Sequence, residues 1–289
     1  MDVLIIGAVR GALYSLIAVG FVLVFSVGGI LNLAHGTYYM LGAYFTYIFY
    51  GSVFGSSGLM ALLLSGVLAV ISVGIIACLV YYVLLRPHIQ AIALYGMVMT
   101  LALALFVSEI MSLLFGVSGT SVPSLVEGSM SIGGVKVINQ QLLLIPITAL
   151  ILPSIWYFLK RTKMGQGIDA VAQQRTGAIL MGVSVETATL ITSGLSACLA
   201  ALAGVLIAPV SSVVPDMWLF PLIKAFAIAI LGGIGSLVGS VIASFVIGYA
   251  EILGSFLISE QLTELVALVV IIFVLLFKPS GIMGYKFMS

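Results

Sequence analysis

The chain has 289 residues, of which 63% are apolar and only 7% are charged. Soluble globular domains carry roughly 25% Asp, Glu, Lys and Arg, so this composition excludes that class and predicts a membrane protein. The formal net charge of +1 provides no overall field to attract nucleic acid, and that class of partner is excluded too.

Apolar stretches along the chain predict an all-α, polytopic integral membrane protein with a single transmembrane domain over 1–289. A spanning helix uses about 20 apolar residues, so the length leaves no room for an additional soluble catalytic domain. The first stretch lacks a basic start and exceeds a signal-peptide core, and we interpret it as a mature span. About eight spans, one of them broken, are expected at 3–26, 30–50, 59–85, 92–115, 142–159, 187–209, 222–254 and 265–277.

The early segment 28–36 interrupts two apolar runs with glycines and places Asn32 and His35 at their junction. These two side chains either bond backbone groups freed by a helix break or line a permeation path. The first role is favoured, because buried polar side chains most often bond backbone.

The stretch 222–254 holds four glycines in eight residues, which are poor helix propagators. As one helix it would be about 50 Å long, against a hydrocarbon core of roughly 30 Å. We therefore predict a break there that gives a half-helix or re-entrant segment and then a full span. The alternative is one tilted helix that uses Gly235 and Gly239 as a packing face.

Two interrupted segments, one in each half, suggest a duplicated architecture, and transporters tend to build their permeation path at such breaks. We predict that the path or its gate includes Asn32, His35, Gly36, Gly232, Gly233 and Gly235.

Orientation follows from the basic residues, because loops that hold clusters of Lys and Arg stay cytoplasmic. Lys160, Arg161, Lys163 and Arg175 lie in one polar segment between the fifth and sixth spans. Counting back from this segment places the N-terminus outside. Counting forward places the C-terminus in the cytoplasm, provided that the glycine-rich stretch is broken.

Motifs for nucleotide, metal and nucleophile chemistry are missing from the sequence. It contains no GxxxxGK[ST] phosphate loop, no CxxC pair and only two histidines, His35 and His88. Neither a cofactor, a metal site nor a catalytic constellation is predicted, and an integral-membrane hydrolase is disfavoured.

An ion-coupled secondary transporter is the competing function of a different class. Such a protein needs acidic residues deep in its helices, and Glu109 and Glu251 are the candidates. Each lies within about two turns of a predicted span end, so we interpret both as reaching the interface. Arg10 and Lys224 are interpreted in the same way, with the charge at the headgroups.

The cytoplasmic segment 169–183 begins with an acid suited to a helix N-terminus and ends in the run Ala-Ile-Leu-Met-Gly-Val. This run is too apolar for an exposed loop, and such a patch indicates a partner surface. A helix that lies on the membrane surface is the alternative.

Several of these runs together resemble the permease subunits of high-affinity branched-chain amino-acid ABC importers, in particular the shorter of their two permease types. The resemblance extends over essentially the whole chain. Its motifs are Asn-Leu-Ala-His-Gly at 32–36, Met-Leu-Gly-Ala-Tyr at 40–44, Ala-Ile-Leu-Met-Gly-Val at 178–183, Ala-Leu-Ala-Gly-Val at 201–205, Ile-Leu-Gly-Gly-Ile-Gly-Ser at 230–236 and Lys-Pro-Ser-Gly-Ile-Met-Gly at 278–284.

The resemblance implies a multi-pass subunit of the cell membrane that works with a second homologous permease, two cytoplasmic ATPases and an extracytoplasmic binding protein. It also implies that 169–183, within a loop at 160–186, docks in the ATPase. The residues assigned to this coupling loop are Asp169, Arg175, Ala178, Leu180, Met181 and Gly182. The family's acidic position is not matched in Arg-Thr-Gly-Ala at 175–178, so no specific salt bridge to the ATPase is carried over.

For the substrate, the resemblance implies amino acids, most of all branched-chain ones. Relatives also import urea or amides and aromatic acids, and the separate binding protein makes most of the selection. An almost uncharged path suits a zwitterion or a neutral solute, so these alternatives stay open at the level of sequence.

Overall fold

The computed structural model describes residues 2–55, 58–88, 93–132, 135–233, 235–257, 269, 272–273, 276 and 281–283. Within them the long helices are α1 (Asp2–Gly28), α2 (His35–Ile48), α3 (Gly58–Val80), α4 (Ala93–Phe115), α6 (Leu144–Arg161), α9 (Val185–Ile207), α10 (Leu219–Gly232) and α11 (Leu237–Leu257). Shorter elements are the strands β1 (Ser129–Ile132) and β2 (Val135–Ile138) and the helices α5 (Asn139–Leu142), α7 (Lys163–Gln173) and α8 (Arg175–Leu180).

Six helical segments among the described residues are long and apolar enough to cross a membrane. They are Val3–Gly28, Gly58–Leu85, Leu94–Phe115, Asn139–Arg161, Val185–Ile207 and Leu237–Leu257. The all-α, polytopic membrane class is thereby confirmed, whereas the expected count of about eight spans is not. The last predicted span, 265–277, lies outside the described residues except for 269, 272–273 and 276.

The predicted span at 30–50 begins later than expected, because the helix there starts at His35, is α-helical to Ile48 and continues as a π-helix over Phe49–Val53. It is not among the six apolar segments. The predicted break in 222–254 is confirmed: α10 ends at Gly232 and α11 begins at Leu237. The alternative of one continuous tilted helix is therefore wrong.

Helix α1 lies at the centre of the molecule. In its most apolar window 83% of the residues are buried, against 17% for α4 and for the segment that contains α6. Small residues let α11 approach it closely: a Cβ on Gly248 would lie 2.6 Å from the backbone nitrogen of Gly11. Gly7 contacts Tyr249 and Gly11 contacts Phe245, so α1 and α11 run antiparallel.

The connections on one side of the bundle are tied together by short β pairing. β1 and β2 form an antiparallel hairpin between α4 and α6. Thr120 and Val213 exchange two backbone hydrogen bonds of 2.9 and 2.8 Å, which join the segment after α4 to the segment after α9. These contacts therefore hold the connections that follow α4 and α9 together at one end of the bundle.

Candidate functional site

The first helix break, residues 29–34, is closed by side chains. Gly29 adopts a positive φ of 66°, which ends α1. The carboxamide oxygen of Asn32 accepts a hydrogen bond of 3.1 Å from the backbone N–H of Ala34. The N–H of Leu33 donates to the hydroxyl of Thr100 on α4, also at 3.1 Å. Backbone groups that lipid could not satisfy are thus bonded within the protein.

His35 links three helices at the start of α2. Its side chain is fully buried, with Nε2 lying 2.9 Å from the carbonyl oxygen of Ile17 and Nδ1 lying 3.1 Å from the hydroxyl of Ser196. The carbonyl can only accept, so Nε2 carries the proton and Nδ1 accepts from Ser196. The edge of the ring faces Phe21 at a centroid distance of 5.6 Å. In this conformation both predicted path residues, Asn32 and His35, bond to backbone; their lining of a path stays a prediction.

Gly36 allows α2 to meet α10. A Cβ on Gly36 would collide with the carbonyl oxygen of Trp218 and would lie 2.9 Å from Cβ of Leu222. The structure therefore brings the first break against the start of the other broken segment, while Gly232 lies at the far end of α10.

A small cavity lies beside the first break. Its volume is about 20 Å³, and its polar lining comes from Asn32, Tyr81, Thr100, Thr189 and Ser193. The space is enough for a single water molecule and far too small for an amino acid. If a solute passes here, the described conformation is closed to it.

The second helix break, at 233–236, is closed mainly by backbone, and the hydroxyl of Ser236 adds one bond by accepting from the Gly239 N–H at 3.0 Å. Gly233 and Gly235 adopt positive φ values of 96° and 86°. The carbonyls of Leu231 and Gly232 accept hydrogen bonds of 2.8 and 3.0 Å from the backbone N–H groups of Ile282 and Met283. The free end of α10 is therefore bonded by a segment some fifty residues further along the chain.

Glycine also sets the approach of α10 to α11. A Cβ on Gly232 would lie 2.5 Å from the carbonyl carbon of Gly239 and 2.6 Å from the backbone nitrogen of Ser240. Gly281, with a φ of 73°, is equally tight, since its Cβ would lie 2.6 Å from the nitrogen of Gly233. The predicted residues Gly232 and Gly233 thus lie at a crossing of three chain segments, and Gly235 is exposed beside it.

The structure reveals a buried ionic cluster that sequence reasoning missed. Glu251 is fully buried and pairs with Arg10 at 3.2 Å and with Lys224 at 3.1 Å. Tyr14 donates a hydrogen bond of 2.5 Å to the same carboxylate. The expectation that Glu251 reaches the interface is therefore wrong, and the partly exposed Arg10 and Lys224 pair with it. The attraction between these opposite charges offsets the cost of burying them. In the sequence, the only indication of the cluster is that charged residues are rare in membrane spans.

Glu109, the other carboxylate considered for ion coupling, lies on the exposed side of α4. Within the part of the chain that the structure describes, it forms no ion pair.

On the predicted cytoplasmic side, two short helices replace the single helix expected from Asp169. α7 begins at Lys163, because the hydroxyl of Thr162 caps it by accepting from Gly165 N–H at 3.0 Å. Asp169 lies within α7 and pairs with Lys160 at 2.7 Å, so its predicted place at the helix start is wrong.

The apolar run of this loop divides into a buried and an exposed part. Ala178 is buried, whereas Leu180 and Met181 are 81% and 84% exposed. Gly182 follows with a φ of 80°, which ends the helical turn and directs the chain back to α9. Arg175 is exposed at the start of α8. The result is an unpartnered apolar tip, which we name the apolar tip of α8 (Ile179, Leu180 and Met181).

Comparison with known proteins identifies the family. The model of the branched-chain amino acid transport system / permease component family matches residues 3–275. The high-affinity branched-chain amino acid transport system permease protein LivH of Salmonella typhimurium is 29% identical over 96% of this chain and 93% of its own length. The corresponding permease protein BraD of Pseudomonas aeruginosa is 29% identical over 97% and 94%.

A more distant relative extends the same likeness. The probable branched-chain amino acid transport permease protein LivH of Methanocaldococcus jannaschii is 28% identical over 93% of this chain and 88% of its own length. No solved structure matches the chain. The family match favours a transport permease over an ion-coupled secondary transporter or an enzyme, and the chain belongs to the branched-chain amino acid transport system permease component family.

Proposed function

We propose that this chain is a permease subunit of an ATP-driven importer and forms part of the path for branched-chain amino acids. The functions of its relatives and the family match over residues 3–275 support this substrate class. Its partners are a second, homologous permease, two cytoplasmic ATPase subunits and an extracytoplasmic binding protein. These relatives do not favour the alternative substrates, urea, amides and aromatic acids.

One observation carries the coupling to an ATPase: the apolar tip of α8. Side chains as apolar as Leu180 and Met181 at more than 80% exposure mark a partner surface when they adjoin a polar, basic loop. The tip stands on a rigid base, since α7 is capped at Thr162 and α9 at Ser184, which accepts from Thr187 N–H at 3.3 Å. A displacement of the tip would therefore be transmitted to α9. Ser196 of α9 hydrogen-bonds to His35, the first residue of α2 after the first break.

The coupling is tested with Leu180→Asp combined with Met181→Asp in the complete importer in proteoliposomes. We expect the variant permease to insert normally but to lose its ATPases or to hydrolyse ATP without uptake. Val117→Asp, at an exposed apolar position in the connection after α4, is the control and should leave the ATPases bound and hydrolysis coupled. Coupled uptake at the wild-type rate by the double variant would contradict the docking role.

The proposed orientation places the N-terminus outside and the C-terminus in the cytoplasm. The cluster of Lys160, Arg161, Lys163 and Arg175 supports it, because loops that hold basic clusters stay cytoplasmic. Reporter fusions at each terminus test this assignment. We expect an extracytoplasmic signal at the N-terminus and a cytoplasmic signal at Ser289; two cytoplasmic signals would contradict it.

A further inference from the structure

The ionic cluster joins α1, α10 and α11 through one buried carboxylate. Oε2 of Glu251 accepts hydrogen bonds from Arg10 and Tyr14, whereas Oε1 forms an ion pair with Lys224 at 3.1 Å without a hydrogen bond. Lys224 also donates a hydrogen bond of 2.8 Å to the hydroxyl of Tyr14. The side chains therefore hold each other in one arrangement.

The charges of this cluster do not balance. Two cations face a single carboxylate, and within the described residues the other salt bridges, Arg86–Glu186 and Lys160–Asp169, lie elsewhere. A surplus positive charge within spanning helices is costly unless an anion or water compensates it. The cluster therefore has the electrostatic character of an incomplete anion site.

Exposure shows from which side an anion can approach. The side chain of Glu251 is 0% exposed, whereas those of Arg10 and Lys224 are 37% and 16% exposed. The cationic groups thus face the open side of the cluster and the carboxylate faces the closed side. Lys224 lies one helical turn from Phe220 and next to Ile223, both exposed apolar residues of α10.

We propose that Arg10 and Lys224 form a transient site for the carboxylate of the transported amino acid, with its aliphatic side chain against Phe220 and Ile223. This inference rests on the proposed function. Glu251 is a positioning residue that holds both cations and lowers the charge of the site to +1. A site of such low charge binds a carboxylate weakly enough to release it along the path.

The test uses the complete importer, with all its partner subunits, in proteoliposomes that contain phosphatidylglycerol. Lys224→Gln keeps an N–H donor for Tyr14 but removes the surplus charge, and Lys224→Arg keeps the charge. Lys136→Gln, on β2, makes the same change in net charge away from the cluster. We expect uptake to fall about tenfold or more in Lys224→Gln, because the loss of a hydrogen bond to a charged group has an effect of this size. Uptake should persist in Lys224→Arg and in Lys136→Gln.

A second measurement separates carboxylate binding from a purely structural role. In the detergent-solubilised importer without its binding protein, leucine should raise the Tm, and leucinamide at the same concentration should not. Lys224→Gln should abolish the leucine shift while its Tm without leucine stays close to that of the wild type. Equal shifts by both compounds, or an unchanged shift in Lys224→Gln, would overturn the carboxylate site.

The remaining outcomes are distinct. If the wild-type importer takes up leucine and Lys224→Gln does so equally well, the inference fails while the proposed function stands. If the wild-type importer takes up no amino acid, the proposed function itself fails. If the second permease dissociates from Lys224→Gln, the positive charge of Lys224 serves a subunit contact. If the uptake defect of Lys224→Gln disappears in vesicles of pure phosphatidylcholine, Lys224 binds lipid phosphate. Either result overturns the inference.

Discussion

At both helix breaks the backbone groups that lipid cannot satisfy are hydrogen-bonded within the protein, but the bonding partners differ. At the first break, side chains close the chain on itself: Asn32 bonds Ala34, and Thr100 bonds Leu33. At the second, the carbonyls of α10 are bonded by the backbone N–H groups of residues 282 and 283, and the hydroxyl of Ser236 accepts from the Gly239 N–H at 3.0 Å. The first break therefore depends on side-chain identity, and the second depends mainly on the backbone geometry of its glycines and of residues 281–283.

The largest effect is expected at Gly36, where the two broken segments meet. Gly36→Val places a branched side chain against the carbonyl of Trp218, a backbone atom that cannot move aside cheaply. We expect a loss of about 3 kcal/mol or more and almost no folded protein, measured as yield and Tm in detergent. Gly51→Ala is the control, because a Cβ there meets nothing within 4 Å. A normal yield of Gly36→Val would show that α2 and α10 are not in close contact.

A smaller but substantial effect is expected at His35. His35→Ala removes the link between α1, α2 and α9 and leaves the Ile17 carbonyl and the Ser196 hydroxyl without this partner. We expect a loss of about 2 to 3 kcal/mol, from unsatisfied buried groups and a cavity. Normal stability with impaired uptake would assign His35 to the path instead.

At the second break we expect an effect on dynamics more than on stability. Ile282→Pro removes the N–H that bonds the Leu231 carbonyl, at a cost of about 1 kcal/mol. A cysteine at Ser236, in a protein without Cys78 and Cys198, should then react faster with a water-soluble thiol reagent. Ile282→Ala keeps the N–H and should not accelerate the reaction. Equal rates in both variants would contradict the role of the 281–283 segment.

The smallest effect is expected at Asn32. Asn32→Ala removes one side-chain acceptor for the Ala34 N–H, with an expected loss of about 1 kcal/mol by thermal unfolding in detergent. Thr100→Val, which removes the acceptor for Leu33, should cost about the same. A loss in one variant alone would show that the two bonds do not close the break together.

Sequence alone predicted the membrane class, both breaks and the apolar run at 178–183, because glycine content and hydropathy act locally along the chain. It missed the cluster of Arg10, Lys224 and Glu251, since the three residues lie on different helices, with Arg10 and Glu251 241 residues apart, and such pairing leaves no local pattern. It also misplaced the helix start at Asp169, because the cap is Thr162, whose hydroxyl accepts from the Gly165 N–H and starts α7 at Lys163.

The most direct test of a path at these breaks is the accessibility of the cavity beside the first one. Ser193 lines this cavity and is 4% exposed in the closed conformation. A cysteine at this position, in the complete importer without other cysteines in this chain, is treated with a water-soluble thiol reagent in the nucleotide-free and the ATP-bound states. The account predicts rapid reaction in one state and protection in the other. Protection in every state, with uptake intact, would contradict it.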